Sequence, residues 1–158
     1  MAERRFIPPH ERRSQLPEAK PAQSAKGGGK SPYQLGRAFE GAVRGRLQRR
    51  GYFVMRSHAS KGKIDLLACG PACVARGISG LFIQAKRRGQ ISSAEWNEVW
   101  EIAQRHGGWA VVVTKLSERT VGFYRLDGPR EARRKGRPWT LIDPADLSEL
   151  AAPPSLLD

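Results

Sequence analysis

The sequence predicts an α/β fold: one mixed central β-sheet flanked by helices. Two stretches repeat apolar residues at helical spacing behind serine capping boxes, and several others alternate or run apolar over strand lengths. Their order, helix, three strands, helix, two strands, suits a mixed sheet with helices packed on it. A chain of 158 residues is long enough for one such domain with a real core.

Residues 1–30 hold prolines, a basic excess and a Gly-Gly-Gly run without any apolar period, and are expected to form a disordered basic arm. Order is expected over 31–150 as a single domain, with 151–158 as a tail. Ser31-Pro32-Tyr33-Gln34 supplies an N-cap, a proline at the first helical position and the Gln of a capping box. Leu35, Phe39, Val43 and Leu47 then mark one face of the first helix, and Gly51 stops it.

A first strand is expected over Tyr52–Ser57 and a polar loop over His58–Gly62. In the second strand Ile64, Leu66 and Ala68 share one face, which leaves Asp65 with Leu67 on the other. In the third, Leu81, Ile83 and Ala85 alternate with Phe82, Gln84 and Lys86, so Asp65, Gln84 and Lys86 can converge on one face of a hairpin. Ser92 and Glu95 make a second capping box ahead of Trp96, Val99, Trp100 and Ala103, a helix ended by Gly107-Gly108. The two tryptophans on that stripe suit a core or a dimer interface better than base stacking. Strands follow at Trp109–Thr114 and Val121–Leu126, then a basic loop over 129–138, a short strand Trp139–Ile142 and a short closing helix Pro144–Leu150.

Lys and Arg number 28 against 15 Asp and Glu, a formal net charge of +13, which points to polyanionic partners with nucleic acid foremost. The longest apolar run, Trp109–Val113, is too short to cross a bilayer, and the Arg-rich start lacks the apolar core of a secretory signal. A soluble, cytoplasmic protein without a membrane partner is expected. Cys69 and Cys73 are the only cysteines and, with His10, His58 and His106, complete no zinc pattern; two reduced thiols are expected.

Hydrolysing a phosphodiester calls for a divalent cation, and hard oxygen donors suit Mg²⁺. Asp65 offers a carboxylate, Gln84 an amide carbonyl and Lys86 an ammonium for the phosphoryl group, and Glu40 adds a carboxylate if its helix packs over the sheet. Blander readings stand beside these: Asp65 paired with Lys63 or Lys86, Lys86 as the first of the exposed run Lys86-Arg87-Arg88, and Glu40 bridging Arg37 or Arg44. Positive charge brackets the candidate site at Arg44, Arg46, Arg49, Arg50, Arg56, Lys61, Lys63, Arg87 and Arg88, where a DNA backbone would need it. The run Arg130–Arg137 is either a further basic arm or a solvated charged loop.

Asp65 followed by Gln84-Ala85-Lys86 resembles the motif of the PD-(D/E)XK nuclease superfamily, with Gln in the middle acidic position. From Ser31 to Leu126, about three fifths of the chain, the sequence resembles the archaeal-type Holliday junction resolvases. The likeness runs through Gly36-Arg37-Ala38-Phe39-Glu40, Gly51–Ser57, Ser60-Lys61, Ile64–Ala68, Ile83–Lys86, Gly107-Gly108 with the following strand, and Phe123-Tyr124-Arg125. It implies a restriction-endonuclease-like core and a homodimeric enzyme that cuts four-way DNA junctions with Mg²⁺ or Mn²⁺. Carried over by position, the helix glutamate falls on Glu40, the metal-binding aspartate on Asp65, the acidic strand residue on Gln84 and the catalytic lysine on Lys86. A DNA-contacting arginine falls on Arg56, and Ser57 and Ser60 would lie beside the scissile phosphate. Two positions depart from the pattern: Gln84 removes a negative charge from the metal set, and Gly41 stands where a basic residue is common, with Arg37 and Arg44 one turn away. The expected function is a metal-dependent, structure-selective endonuclease leaving 5′-phosphate ends. The alternatives are a restriction-like or repair nuclease on duplex or flap DNA, and a non-catalytic binder of branched DNA.

Overall fold

Among the described residues six strands lie side by side in chain order, β1-β2-β3-β4-β5-β6, and only the β3–β4 pair is parallel. The computed structural model describes residues 29–57, 63–135 and 138–151, with backbone only at 133–135. Residues 1–28 of the expected arm 1–30, the loop at 58–62 with Ser60 and Lys61, and residues 152–158 of the expected tail 151–158 lie outside the described residues.

Helix α1 (Pro32–Gln48) forms as its cap predicts: Gln34 N donates to the Ser31 hydroxyl and Ser31 N to the Gln34 carbonyl, closing the capping box. Phe39, Val43 and Leu47 are buried and pack on one face of the sheet with Val54, Leu66, Ala68, Leu81, Ile83, Val111, Val113 and Phe123. The strands are β1 (Phe53–Arg56), β2 (Leu66–Cys69), β3 (Leu81–Lys86), β4 (Trp109–Lys115), β5 (Val121–Leu126) and β6 (Trp139–Ile142). Helix α3 (Ser93–Arg105) opens on its own capping box at Ser92 and Glu95 and supplies the crossover that the parallel pair requires. It covers the opposite face, where Trp96, Val99 and Ala103 meet Phe82, Ala110, Val112, Tyr124, Leu126 and Trp139. At its end Gly107 takes φ +67°, the left-handed cap that glycine adopts without strain. Next to it, Gly108 lies so near the Gly80 carbonyl and the Phe82 ring that no side chain fits.

Four expectations are corrected. The β2–β3 connection holds a short helix α2 (Pro71–Ala75) rather than a plain hairpin loop: Pro71 presets its first turn, and five residues are too few to show a period. Ile64 does not share the face of Leu66 and Ala68; it precedes the strand and packs with the α3-side core. The 129–138 loop is partly ordered as a 3₁₀ turn, Arg130–Lys135, because Asn97 Oδ1 accepts from Arg130 N at 2.8 Å and its amide holds Glu131. The segment Pro144–Leu150 is a turn folding back on β6, not a helix. Asp143 and Asp146 bond to the amides of Ala145 and Ser148, and Leu147 takes φ +60°, so side chains compete with the helical pattern. Trp96 is core, its indole N–H bonded to the Gly128 carbonyl at 2.8 Å, and Trp100 packs half-buried against the same cluster. Cys69 and Cys73 are free thiols, as expected. Among the described residues no helix is long and apolar enough to cross a membrane.

Candidate metal-binding site

The β2–β3 ladder pairs Leu66 with Ile83, so continuing that register sets Asp65 opposite Gln84. Asp65 lies one residue before β2 yet keeps the sheet's bonding on both sides. Its N–H donates to the Ile83 carbonyl at 2.9 Å, and its own carbonyl accepts from Ser57 N at 3.0 Å. Beyond that rung the backbone parts from β3, and the carboxylate takes over: Asp65 Oδ2 accepts from Ala85 N at 2.8 Å. One carboxylate oxygen is thereby fixed beside the peptide that joins Gln84 to Ala85.

Gln84 shares the α3 face of β3 with Phe82 and Lys86. It is 8% exposed, and its Oε1 has no hydrogen-bond partner among the described residues. Such a buried acceptor is rare in folded chains. Lys86, where β3 surfaces, donates to Glu95 Oε1 at 2.5 Å, and the other oxygen of Glu95 accepts from Ser92 N and its hydroxyl at 3.1 Å each. Glu95 thus does two jobs: it closes the α3 cap and it holds the lysine. Glu40 reaches from α1 to Arg56 of β1, with Arg56 Nε at 3.1 Å and a second, closer contact from the same guanidinium.

Electrostatics tie these groups together. Burial pushes the Asp65 carboxyl above its ordinary value; the Ala85 amide and the Lys86 charge pull it down, and the charges of Glu40 and Glu95 push it up again. Glu95 moves the opposite way. Burial alone would raise it, but the hydrogen bonds from Lys86 and Ser92, with the lysine's charge, leave it below the ordinary range.

The structure therefore gathers Asp65, Gln84 and Lys86 at one end of the β2–β3 pair, with Glu40 close enough to act on Asp65 by charge. Among the described residues no three His, Cys, Asp or Glu side chains come together to hold a metal. A cation here would rest on two carboxylates, Glu40 and Asp65, and the Gln84 carbonyl. That donor set is all oxygen, which suits Mg²⁺ or Mn²⁺, and the unpartnered Gln84 oxygen is the atom such an ion would satisfy. Among the described residues the bland pairings expected for Asp65 with Lys63 and for Glu40 with Arg37 or Arg44 do not form. Lys63 instead lies 3.7 Å from Glu98.

Of the other residues expected to meet DNA, Arg37 stacks over Tyr33 at 5.9 Å, Arg44, Arg87 and Arg88 are exposed, and Ser57 is half-buried beside Asp65. Arg56 is held by Glu40, so its charge is locally offset. Arg130 lies over the Trp96 ring at 4.9 Å. Sequence reading missed Glu95 as a site residue. Its spacing from Ser92 signalled the cap alone, and the pairing with Lys86 needs α3 to dock beside the end of β3.

No protein-family model and no curated protein matches the chain. Twelve solved chains match it. One is a Holliday junction resolvase of the archaeal hyperthermophile Archaeoglobus fulgidus, 24% identical, with 56% of this chain and 70% of that one covered at a TM-score of 0.46.

Proposed function

We propose that the protein is a metal-dependent endonuclease that hydrolyses phosphodiesters in branched DNA, four-way junctions foremost, as a homodimer. The observation that supports this most is the Gln84 carbonyl, buried and without a partner among the described residues, opposite a raised carboxyl and two residues from a lysine. Leaving such an acceptor unmatched costs about 1–3 kcal/mol, which a structural role would not explain. Glu40, Asp65 and Gln84 would hold Mg²⁺ or Mn²⁺. When bound, such an ion activates water and offsets charge developing on the phosphoryl oxygens.

The chain's own groups do the positioning. The Ala85 amide fixes one oxygen of Asp65 and leaves the other to face a ligand. Lys86 carries its ammonium to the mouth of the site, where exchange from Glu95 to a phosphoryl oxygen places positive charge where the transition state needs it. Arg37, Arg44, Arg87 and Arg88, exposed around the site, suit recognition of backbone shape rather than base sequence. The products would carry 5′-phosphate and 3′-hydroxyl ends.

The test is cleavage of a synthetic four-way junction with Mg²⁺, Mn²⁺ or EDTA, set beside duplex and flap substrates. Asp65→Ala and Lys86→Ala should abolish product; if either cuts like wild type, the assigned roles are wrong. A second reading, a non-catalytic binder of branched DNA, draws on the closed Lys86–Glu95 pair and the uncharged Gln84. It predicts salt-sensitive binding that survives EDTA, with no products under any metal.

A further inference from the structure

Three clefts join end to end between α1 and the far half of the sheet. The first, at the start of α1, is lined by Pro32, Leu35, Gly36 and the run Lys86-Arg87-Arg88. The second shares Leu35 and Arg87 with it and continues along Ala38, Ala42 and Arg46 against Lys115 and Thr120. The third shares Arg46, Thr120 and Val121 and ends at Arg50, Arg119 and Asp143, a cleft of about 290 Å³. Leu35, Ala38, Ala42 and Arg46 recur every three or four residues, so a single flank of α1 forms the wall. Glu40 and Arg44 lie on the other flank.

We propose that this groove is a track for a nucleic-acid phosphodiester backbone, leading away from the candidate site along the flank of α1 toward Arg50 and Arg119. Its charge fits that ligand. The lining holds Lys86, Arg87, Arg88 and Lys115, then Arg46, Arg50 and Arg119, against two carboxylates, Glu118 and Asp143, while Lys86 is offset by Glu95 from outside the lining. Glu118 is bound to Lys115 at 2.6 Å, and Asp143 is turned to the Ala145 amide. The arginines at the far end are held by carbonyls instead of carboxylates: Arg46 Nη2 donates to the Arg119 carbonyl at 2.6 Å, and Arg50 Nη1 to the Arg46 carbonyl at 3.4 Å. A guanidinium anchored to a carbonyl keeps its whole charge, unlike Arg125, which is bound by Asp127 and Glu149.

Length fits as well. From residue 35 to the end of α1 at residue 48 the helical wall rises about 20 Å, and a duplex strand carries one phosphate per 3.4 Å of axis, so about six phosphates span it. The wall between the cations is Leu, Ala and Gly, smooth enough for a backbone to lie against. The location of the candidate site rests on the proposed nuclease reading; the groove's affinity for phosphates does not.

The test measures binding of the full chain, in EDTA, to a fluorescent four-way junction and to a duplex across a salt series. Arg50→Gln with Arg119→Gln removes two exposed cations and leaves Arg46, Lys86 and Asp65 in place. The slope of log affinity against log salt should become shallower by about two, and affinity near 0.1 M salt should fall more than tenfold. Arg50→Lys with Arg119→Lys should restore the wild-type slope. An unchanged slope in the glutamine pair overturns the proposal, whether or not the protein cuts junctions. So does a pair that loses only the binding of poly-glutamate, which would make the groove an acidic-peptide site. Absence of cleavage in wild type, with the slope shifted as expected, would sink the nuclease reading and leave the groove standing.

Discussion

Gln84→Met isolates the atom on which the metal reading depends. Methionine has nearly the same length, lies unbranched in the same space beside Phe82, and carries no acceptor to strand in the α3-side core. An unmatched buried carbonyl costs about 1–3 kcal/mol. Because the substitution also removes the amide nitrogen, the lower end applies, and the variant should be more stable than wild type in EDTA by about 1 kcal/mol. For a domain of this size that is about 4 °C in melting temperature. With divalent cation the order should invert. At a hundred times its dissociation constant, a ligand that binds only the folded chain adds about 2.7 kcal/mol, and the methionine variant, stripped of one of three donors, should gain much less. Scanning calorimetry of both proteins in EDTA, Mg²⁺ and Mn²⁺ reads each quantity without any cleavage assay. Were the variant less stable than wild type in EDTA, the Gln84 oxygen would have a partner; were both raised equally by cation, the ion would bind elsewhere.

Asp65→Asn should be more stable than wild type in EDTA at neutral pH, since asparagine can keep the bond from Ala85 N without a buried charge. The raised carboxyl keeps its proton in the folded chain where the unfolded chain has lost it. The advantage of the variant should therefore vanish below the ordinary aspartate value and grow as pH climbs through the raised one; denaturant melts across pH would read this, and a constant offset would count against it. Glu95→Gln keeps an N3 partner for Ser92 but frees Lys86. Urea melts should show a change within about 1 kcal/mol, while junction cleavage drops about 10- to 100-fold, and full activity would show that Glu95 does not position the lysine. Gly108→Ala would bring a methyl 2.5 Å from the Gly80 carbonyl oxygen and from the Phe82 ring, and should lose about 3 kcal/mol in the same melts; a neutral outcome would mean that the start of β4 can shift.

Where local chemistry decides, the sequence was readable. The serine caps at 31 and 92 placed both long helices, since a capping box is complete within four residues. The alternation in Leu81–Lys86 assigned faces correctly because β3 is paired on both sides and has no freedom to twist away. Ile64 escaped the same logic: it stands outside the ladder, so period two no longer governs it. The closing turn failed because Asp143 and Asp146 bond to nearby amides, and a propensity argument does not foresee a leucine at positive φ. At the candidate site, Asp65, Gln84 and Lys86 could be drawn together from strand register alone. That Arg56 would hold Glu40, and that Glu95 would hold Lys86, depends on how the two helices land on opposite faces, which no local pattern encodes.

The lone parallel pair has an architectural consequence. Everywhere else in the sheet a strand turns back on its neighbour, but β3 and β4 finish at the same edge, and from there β3 leaves toward α3 while β4 folds straight into β5. Chains that depart in divergent directions from adjacent strand ends open a notch between them, as at the switch points of doubly wound sheets. Connectivity itself would then hollow out the place where Lys86 surfaces, before any side chain is chosen to line it.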